Sequence, residues 1–224
     1  MSYWKSYWNK SALDKSLFNQ VQRGSNKERE NLLLIEPHLV ELLSLSTTDT
    51  LLDVCCGNGL ITKQLSKHCS AVLGIDFSPH LIISAKQNMG YSNIEYLVGD
   101  ATSLTENTSE KFDKIMLNFS FQYFNFKDGL KVVSEMKKLL KPNGIILLGD
   151  IPDQKYFWSY YNTFAKRVYY FKQWLFKQPK MGKFWSEIEM MALADTANLK
   201  GTFLNQNENL PYAHYRFDFL LTNK

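Results

Sequence analysis

Three aspartates lie at regular intervals near the ends of short apolar runs. Asp53, Asp76 and Asp100 each end, or nearly end, a run that indicates a buried strand. The carboxyl ends of parallel strands meet at one edge of an open α/β sheet, where such folds bind ligands. A carboxylate can accept hydrogen bonds from both hydroxyls of a ribose, or one from an amino group. The spacing therefore predicts a site for a ligand that contains a nucleoside.

A glycine-rich turn follows the first of these runs, in the order Cys55-Cys56-Gly57-Asn58-Gly59. Glycines let the backbone approach a ligand, and the start of the following helix offers free N–H donors. A dinucleotide site would need a third glycine where Thr62 stands. Asp53 would also repel a pyrophosphate, whereas it suits a cation. The local charge therefore favours S-adenosylmethionine, which carries an ammonium and a sulfonium, over NAD.

The elements around these residues alternate between strand and helix. Apolar periodicity predicts strands over 50–55, 71–76, 94–98, 113–119 and 145–149, separated by helices over 60–68, 79–89 and 129–140. A turn is predicted at 142–144, a helix over 187–199, and closing strands over 202–205 and 215–222. Upstream, 27–45 is predicted to be a helix, and a helix that starts or kinks at Pro37 is equally compatible with the sequence. Such alternation is typical of a parallel sheet with both faces covered.

These motifs resemble the class I S-adenosylmethionine-dependent methyltransferases of the small stand-alone bacterial type. The matching segments are 53–59, 74–78, 99–101, 112–118 and 140–150, with Cys55 in place of the usual first glycine. The resemblance implies a three-layer Rossmann-like α/β fold with a mixed seven-stranded sheet, an antiparallel last strand, helices on both faces and an inserted helical lid. One domain is expected, with an N-terminal helical cap (1–45), a cofactor-binding core (46–150), an aromatic and basic lid (151–185) and a C-terminal part (186–224).

The resemblance also implies roles for individual residues. Asp53 would reach the methionine amino group, Asp76 would hold the ribose, Phe77 would stack on adenine, and Asp100 with the Ala101 N–H would read the adenine edge. The other implied cofactor-binding residues are Arg23, Cys55, Gly57, Asn58, Gly59, Ser78 and Asn118. Arg23 would pair with the methionine carboxylate through a bidentate contact.

The acceptor is less constrained by the sequence. Asn118-Phe119-Ser120-Phe121 is not the N-P-P-Y box of enzymes that act on exocyclic base or glutamine nitrogens, so hydroxyl, carboxyl and amine acceptors stay open. A hydroxyl acceptor needs a base. The candidate catalytic residues are His214, Tyr123 and Asn118, and the other histidines are interpreted as structural. No group of residues has the spacing of metal ligands, so no metal is expected.

The segment 154–186 combines cations with aromatic side chains. It holds seven Lys or Arg residues, no Asp or Glu, and 13 of the 32 aromatic residues. One helical face is predicted to pack in a core or lid, and it consists of Phe157, Tyr160 or Tyr161, Phe164, Val168, Phe171 and Leu175. The surplus aromatic residues off that face are Trp158, Tyr169, Tyr170, Trp174 and Phe176. This surface would suit a glycan, a lipid-linked acceptor, a membrane surface, single-stranded RNA or another subunit.

The composition limits the class of protein to which this chain can belong. The 224 residues are 45% hydrophobic with a formal net charge of +4, which indicates a folded domain without a strong bias towards nucleic acid. No apolar run approaches the ~20 residues of a membrane-spanning helix, and no secretory signal is visible. Three cysteines, two of them adjacent, form no disulfide framework. We therefore expect a reduced, cytoplasmic protein whose oligomeric state is open.

The predicted function is transfer of a methyl group from S-adenosylmethionine to an oxygen or nitrogen of a small-molecule or glycan-like acceptor, with S-adenosylhomocysteine as product. An RNA methyltransferase and a non-catalytic S-adenosylmethionine-binding partner protein are the alternatives. A dinucleotide-dependent oxidoreductase is disfavoured by Thr62 and Asp53.

Overall fold

One seven-stranded sheet organises the chain. The computed structural model describes residues 3–21, 26–176 and 181–224, and for 26–32 it describes the backbone alone. The strands are β1 (Thr50–Val54), β2 (Ala71–Asp76), β3 (Ile94–Val98), β4 (Phe112–Asn118), β5 (Leu140–Pro152), β6 (Leu199–Asn205) and β7 (Arg216–Asn223). The α-helices are α1 (Tyr3–Ser11), α2 (Leu17–Gln20), α3 (Asn26–Leu43), α4 (Leu60–Leu65), α5 (Pro79–Asn88), α6 (Phe126–Leu139), α7 (Phe157–Tyr160), α8 (Phe164–Leu175) and α9 (Glu187–Thr196).

The strand order across the sheet is β3-β2-β1-β4-β5-β7-β6. The first five strands pair in parallel, and β7 is antiparallel to both of its neighbours. The predicted mixed seven-stranded sheet with an antiparallel last strand is therefore confirmed. Asp53 lies beside Gly74, and Asp76 lies beside Val98, two residues before Asp100. This register brings the three aspartates to one edge of the sheet.

Both faces of the sheet are covered. Successive side chains of a strand point to opposite faces, so Leu51 and Leu52 belong to two different core clusters. Leu51 packs in the cluster of Leu39 and Leu43 from α3, whereas Leu52 packs in the cluster that contains Val132 from α6. All five side chains are buried. The fold is the predicted three-layer arrangement.

Most predicted elements form, with small differences at their ends. Strands 71–76 and 94–98 coincide with β2 and β3. The helix predicted around Pro37 is α3, which continues through the proline rather than starting there. The turn predicted at 142–144 lies inside β5, where the ladder to β4 passes from Leu140 directly to Ile145. The irregularity falls at Pro142, which has no N–H to donate to a ladder.

The inserted segment forms α7 and α8, and its end is fixed by Trp185. The buried Trp185 ring packs on Phe121, and its indole N–H donates to the Phe121 carbonyl at 3.3 Å. The face of α8 that was predicted to pack is instead exposed: Phe164 is 84% exposed and Leu175 67%. The prediction was right for Phe157 and Tyr161, which pack in an aromatic cluster, and Tyr170, predicted to be surplus, packs there as well. It was wrong for α8 because periodicity shows which residues share a face, but not whether another element covers that face. Among the described residues, no helix has the length and apolar content needed to cross a membrane.

Candidate active site

Asp53 is buried in β1 and is held by a residue from the following helix. Thr62 Oγ1 donates a hydrogen bond of 2.6 Å to Asp53 Oδ2. Burial raises the pKa of Asp53 to about 7; the hydrogen bond from Thr62 opposes this shift, and the nearby Asp76 carboxylate adds to it. A cation beside Asp53 would reverse the shift, because it would stabilise the charged carboxylate. Thr62, which argued against a dinucleotide site, thus holds the Asp53 carboxylate in place. The sequence did not reveal this role.

Asp76 shapes the glycine-rich turn from the end of β2. It accepts hydrogen bonds from the Gly57 N–H at 3.0 Å and the Ser78 N–H at 2.9 Å, one on each carboxylate oxygen. Burial raises the pKa of Asp76 to about 6, against the effect of these two hydrogen bonds. Each oxygen keeps a second acceptor site. The carboxylate can therefore hold the turn and still accept hydroxyl donors.

The turn requires backbone conformations that favour glycine. Gly57 and Gly59 have φ of +60° and +79°, and Cys55 has φ of +62°. Cys55 stands where the resemblance expects glycine, so a side chain occupies a left-handed position. Burial, followed by the Asp76, Asp53 and Asp100 carboxylates, raises the pKa of the Cys55 thiol. The thiol therefore stays protonated and is not a nucleophile.

Asp100 lies at the tip of β3 beneath helix α1. It accepts from the Thr102 N–H at 2.9 Å and forms an ion pair of 2.6 Å with Lys5. Partial burial alone would raise the pKa of Asp100, but the hydrogen bonds from Lys5 and Thr102 outweigh it and lower the pKa. The Lys5 ammonium also lies 5.8 Å from the centre of the Phe77 ring. Helix α1 thus covers the part of the edge predicted for adenine.

A cavity of about 610 Å³ opens beside these aspartates. Asp53, Asp76 and Asp100 line one part of it. Aromatic side chains line another part: Trp4, Tyr7, Trp8, Phe119, Tyr123, Tyr160, Tyr212 and Tyr215. These rings come from segments far apart in the sequence, and the fold brings them together.

The rings contact one another as they line the cavity. The centres of the Trp4 and Tyr123 rings are 4.2 Å apart, and those of Tyr160 and Tyr215 are 5.0 Å apart. Burial raises the pKa of Tyr123 to about 12, despite the opposing effects of Gln122 and Arg216. The Tyr123 hydroxyl is therefore protonated at neutral pH and can donate a hydrogen bond, but it is a poor base.

A buried polar network lies behind these rings. Arg216 Nη1 donates to the Asp150 carboxylate at 2.9 Å and to the Asp150 carbonyl at 2.5 Å. The Asp150 N–H donates to Asp218 Oδ1 at 2.7 Å, and Asp218 Oδ2 lies 2.8 Å from His38 Nε2. Gln206 Nε2 lies 3.1 Å from both carboxylates. This network fixes the Arg216 guanidinium, which itself lines the cavity.

Comparisons with known proteins identify the family. A family model described as a methyltransferase domain matches residues 51–144. The demethylmenaquinone methyltransferase of Staphylococcus saprophyticus is 27% identical over 192 residues, which are 80% of this chain and 81% of that protein. The demethylmenaquinone methyltransferase of Staphylococcus haemolyticus is 30% identical over 172 residues, which are 74% of this chain and 71% of that protein. The chain belongs to the class I S-adenosylmethionine-dependent methyltransferases.

Solved structures share the fold of this methyltransferase at low sequence identity. The N-methyltransferase NodS of Bradyrhizobium japonicum, in complex with S-adenosylhomocysteine, has a TM-score of 0.67 and 18% identity, with 100% of this chain and 99% of that chain covered. A chain from the complex of the Haloferax volcanii Trm112 methyltransferase activator with a methyltransferase has a TM-score of 0.71 and 14% identity, covering 97% of this chain and 98% of that one.

The edge of the sheet fits S-adenosylmethionine, the cofactor of the methyltransferase. Asp53 and Asp76 are buried, and no cation pairs with either among the described residues. An anionic pyrophosphate would be repelled there, whereas an ammonium and a sulfonium would be stabilised. When bound, the cofactor supplies a methyl group activated by the positive sulfur. Asp53, Asp76 and Asp100 are the residues proposed to hold it.

The structure brings together most of the predicted site residues. Cys55, Gly57, Asn58, Phe77, Ala101, Asn118 and Tyr123 line the same cavity as the three aspartates. The Asn58 amide also donates to the Leu17 carbonyl at 2.7 Å, which ties the turn to α2.

Three of the predicted residues that the structure describes do not line the cavity. Ser78 is fully buried and caps α5, accepting from the Leu81 N–H, and Gly59 is the N-cap residue that precedes α4. His214 is exposed, packs edge-on against Tyr215 at 4.8 Å, and is not among the residues that line the cavity. Arg23 lies outside the described residues.

Proposed function

We propose that this methyltransferase acts on a small, planar aromatic molecule that carries a hydroxyl group. The observation that carries this proposal is the aromatic lining of the cavity. Flat apolar rings between aromatic side chains gain both burial and ring–ring contacts. The relatives named demethylmenaquinone methyltransferases support an acceptor of this kind.

Arg216 is the residue proposed to position the acceptor oxygen. Apart from Lys5, it is the one cation among the described residues that line the cavity. Its guanidinium is buried and is held in place by an ion pair with Asp150. It also lies within 5.5 Å of the centres of three rings, those of Phe119, Tyr212 and Tyr215. A guanidinium donates hydrogen bonds to oxygen and favours its anionic form. An acceptor hydroxyl beside Arg216 would therefore need no strong base.

The receiving atom is proposed to be an oxygen or a nitrogen, with Asn118 and Tyr123 beside it as hydrogen-bonding groups. His214 would reach the acceptor only if the short 3-10 helix that carries it, Ala213–Tyr215, moved. Helix α1 and helix α7 supply Trp4, Trp8 and Tyr160 to the cavity, which supports the proposed roles of 1–45 as a cap and 151–185 as a lid. A glycan-like acceptor is the second candidate, because sugars also stack on aromatic rings.

A panel of acceptors tests the proposal. The protein is incubated with S-adenosylmethionine and, separately, a dihydroxynaphthalene, a simple phenol, an aryl amine, an oligosaccharide and an RNA oligonucleotide. Mass spectrometry detects methylated product, and NMR identifies the methylated atom. We expect turnover with the hydroxylated naphthalene and weaker turnover with the phenol. Turnover confined to the oligosaccharide or the RNA would refute the acceptor class, and methyl on a ring carbon would refute the receiving atom.

A further inference from the structure

Helix α8 carries an apolar stripe that nothing in the described chain covers. None of its 12 residues is buried. The α8 stripe, as we define it, consists of Phe164, Phe171, Trp174 and Leu175, which are 84%, 55%, 67% and 67% exposed. Spacings of three, four and seven residues place these side chains on one side of the helix. Four large exposed apolar side chains on one surface indicate an interaction site.

Cations flank the stripe without acidic partners. Lys166, Arg167 and Lys172 lie on the same helix, and none of them pairs with a carboxylate among the described residues. Lys166 and Arg167 contact the backbone carbonyls of Tyr160 and Tyr161 instead. The sequence from 154 to 186 contains no Asp or Glu. The surface is therefore complementary to an anionic partner.

The helix is anchored beside the cavity. Beside the stripe, the Tyr170 ring lies 5.1 Å from that of Phe157 and 5.0 Å from that of Tyr161. Arg167 Nε donates to the Tyr161 carbonyl at 3.1 Å. The preceding residue, Tyr160, lines the cavity. A partner that binds the stripe would thus lie close to the acceptor part of the cavity.

We propose that the α8 stripe docks this methyltransferase on the surface of an anionic lipid bilayer. A helix that is aromatic and aliphatic on one side and basic around it lies in the membrane interface, with its apolar side chains among the acyl chains and its cations at the headgroups. A second copy packed on the same surface would bring the same cations together without acids to offset them. The proposal rests on the proposed function in one respect: an apolar aromatic acceptor dissolves in the bilayer, from which docking would give it access to the cavity.

Vesicle binding tests the proposal without cofactor or acceptor, so its outcome is independent of the acceptor assay. The full chain is mixed with vesicles of phosphatidylcholine, or of phosphatidylcholine with phosphatidylglycerol, and the bound fraction is measured by flotation. We expect binding to the anionic vesicles alone, weakening as salt is raised. Brominated lipids should quench tryptophan fluorescence in the wild type and quench it less in Trp174→Phe.

Matched variants separate the stripe from general surface properties. Leu175→Ser should weaken partitioning about tenfold. Leu33→Ser changes a leucine on α3 that is 77% exposed, against 67% for Leu175, and should leave partitioning unchanged. Lys172→Glu should also weaken binding about tenfold, whereas Lys200→Glu makes the same charge change on β6 and should have little effect.

Three results would overturn the proposal. The first is no binding to anionic vesicles. The second is equal loss of binding in the stripe variants and their controls. The third is that the stripe mediates dimerisation in sedimentation experiments, or binding of an RNA oligonucleotide, and the protein does not bind vesicles. Methylation of a soluble acceptor could persist in each case, which keeps the failure of docking distinct from failure of the proposed function.

Discussion

Asp76→Asn tests the cofactor edge most directly, because asparagine keeps the shape of the side chain and removes its charge. Asp76 holds the Gly57 and Ser78 N–H groups at 3.0 Å and 2.9 Å and is proposed to accept the ribose hydroxyls. A hydrogen bond to a charged group contributes about 1.5–3 kcal/mol. Loss of the charged acceptor should therefore weaken binding of S-adenosylhomocysteine about 10- to 100-fold.

The effect of Asp76→Asn on stability is the difference between two opposing terms. The asparagine N–H₂ would face one of the two backbone N–H groups, and an unsatisfied buried donor costs about 1–3 kcal/mol. In the other direction, the pKa of Asp76 rises on folding from 3.8 to about 6. At pH 8 the charged carboxylate therefore lowers stability by about 3 kcal/mol, a cost that the neutral amide avoids. The terms nearly cancel, so affinity should fall while the free energy of unfolding changes little.

Two measurements at pH 8 separate affinity from stability. Titration calorimetry with S-adenosylhomocysteine gives the dissociation constant, and urea unfolding without ligand gives the free energy of unfolding. Asp195→Asn is the matched control, because Asp195 is exposed and its one ion pair among the described residues is with Lys224 at 3.0 Å. Wild-type affinity in Asp76→Asn would refute the assignment of the ribose site. Loss of binding together with a large fall in the free energy of unfolding would show that Asp76 acts by holding the turn.

Three further predictions follow from strain and buried charge. Cys55→Ala keeps a side chain at φ of +62°, whereas Cys55→Gly removes the backbone strain that a side chain causes there. The glycine variant should therefore be more stable than the alanine variant by about 1 kcal/mol in urea unfolding. Equal stabilities would contradict the strain. The pKa of Asp53 rises on folding from 3.8 to about 7, so its contribution to stability is complete below pH 4 and is lost as the pH rises through 7. Asp53→Asn should flatten this part of the pH–stability curve. An unchanged slope would contradict the raised pKa. Arg216→Met should cost about 3–5 kcal/mol in urea unfolding because it leaves the Asp150 carboxylate buried without its cation, and adding Asp150→Asn should recover part of the loss.

The cofactor side of the cavity was largely predictable because its signals are local. Strand ends, glycines and capping residues are set by runs of a few residues, so Asp53, Asp76 and Asp100 could be placed from sequence alone. Their partners could not be placed in the same way. Lys5 pairs with Asp100 across 95 residues of sequence, and the contact depends on how α1 lies over the sheet. Thr62 sits only nine residues from Asp53, but its hydroxyl has a role only once the turn folds back.

The acceptor side depends on packing between distant segments, and one helix links it to the cofactor side. Helix α1 places Lys5 on Asp100 and Trp4 on Tyr123, so nine residues span both parts of the cavity. A cofactor that donates a hydrogen bond to Asp100 must compete with Lys5 or share the carboxylate with it. Either result changes the forces on α1, and the same helix carries the Trp4 and Trp8 rings that line the acceptor part. We therefore expect cofactor binding and acceptor binding to be coupled through α1.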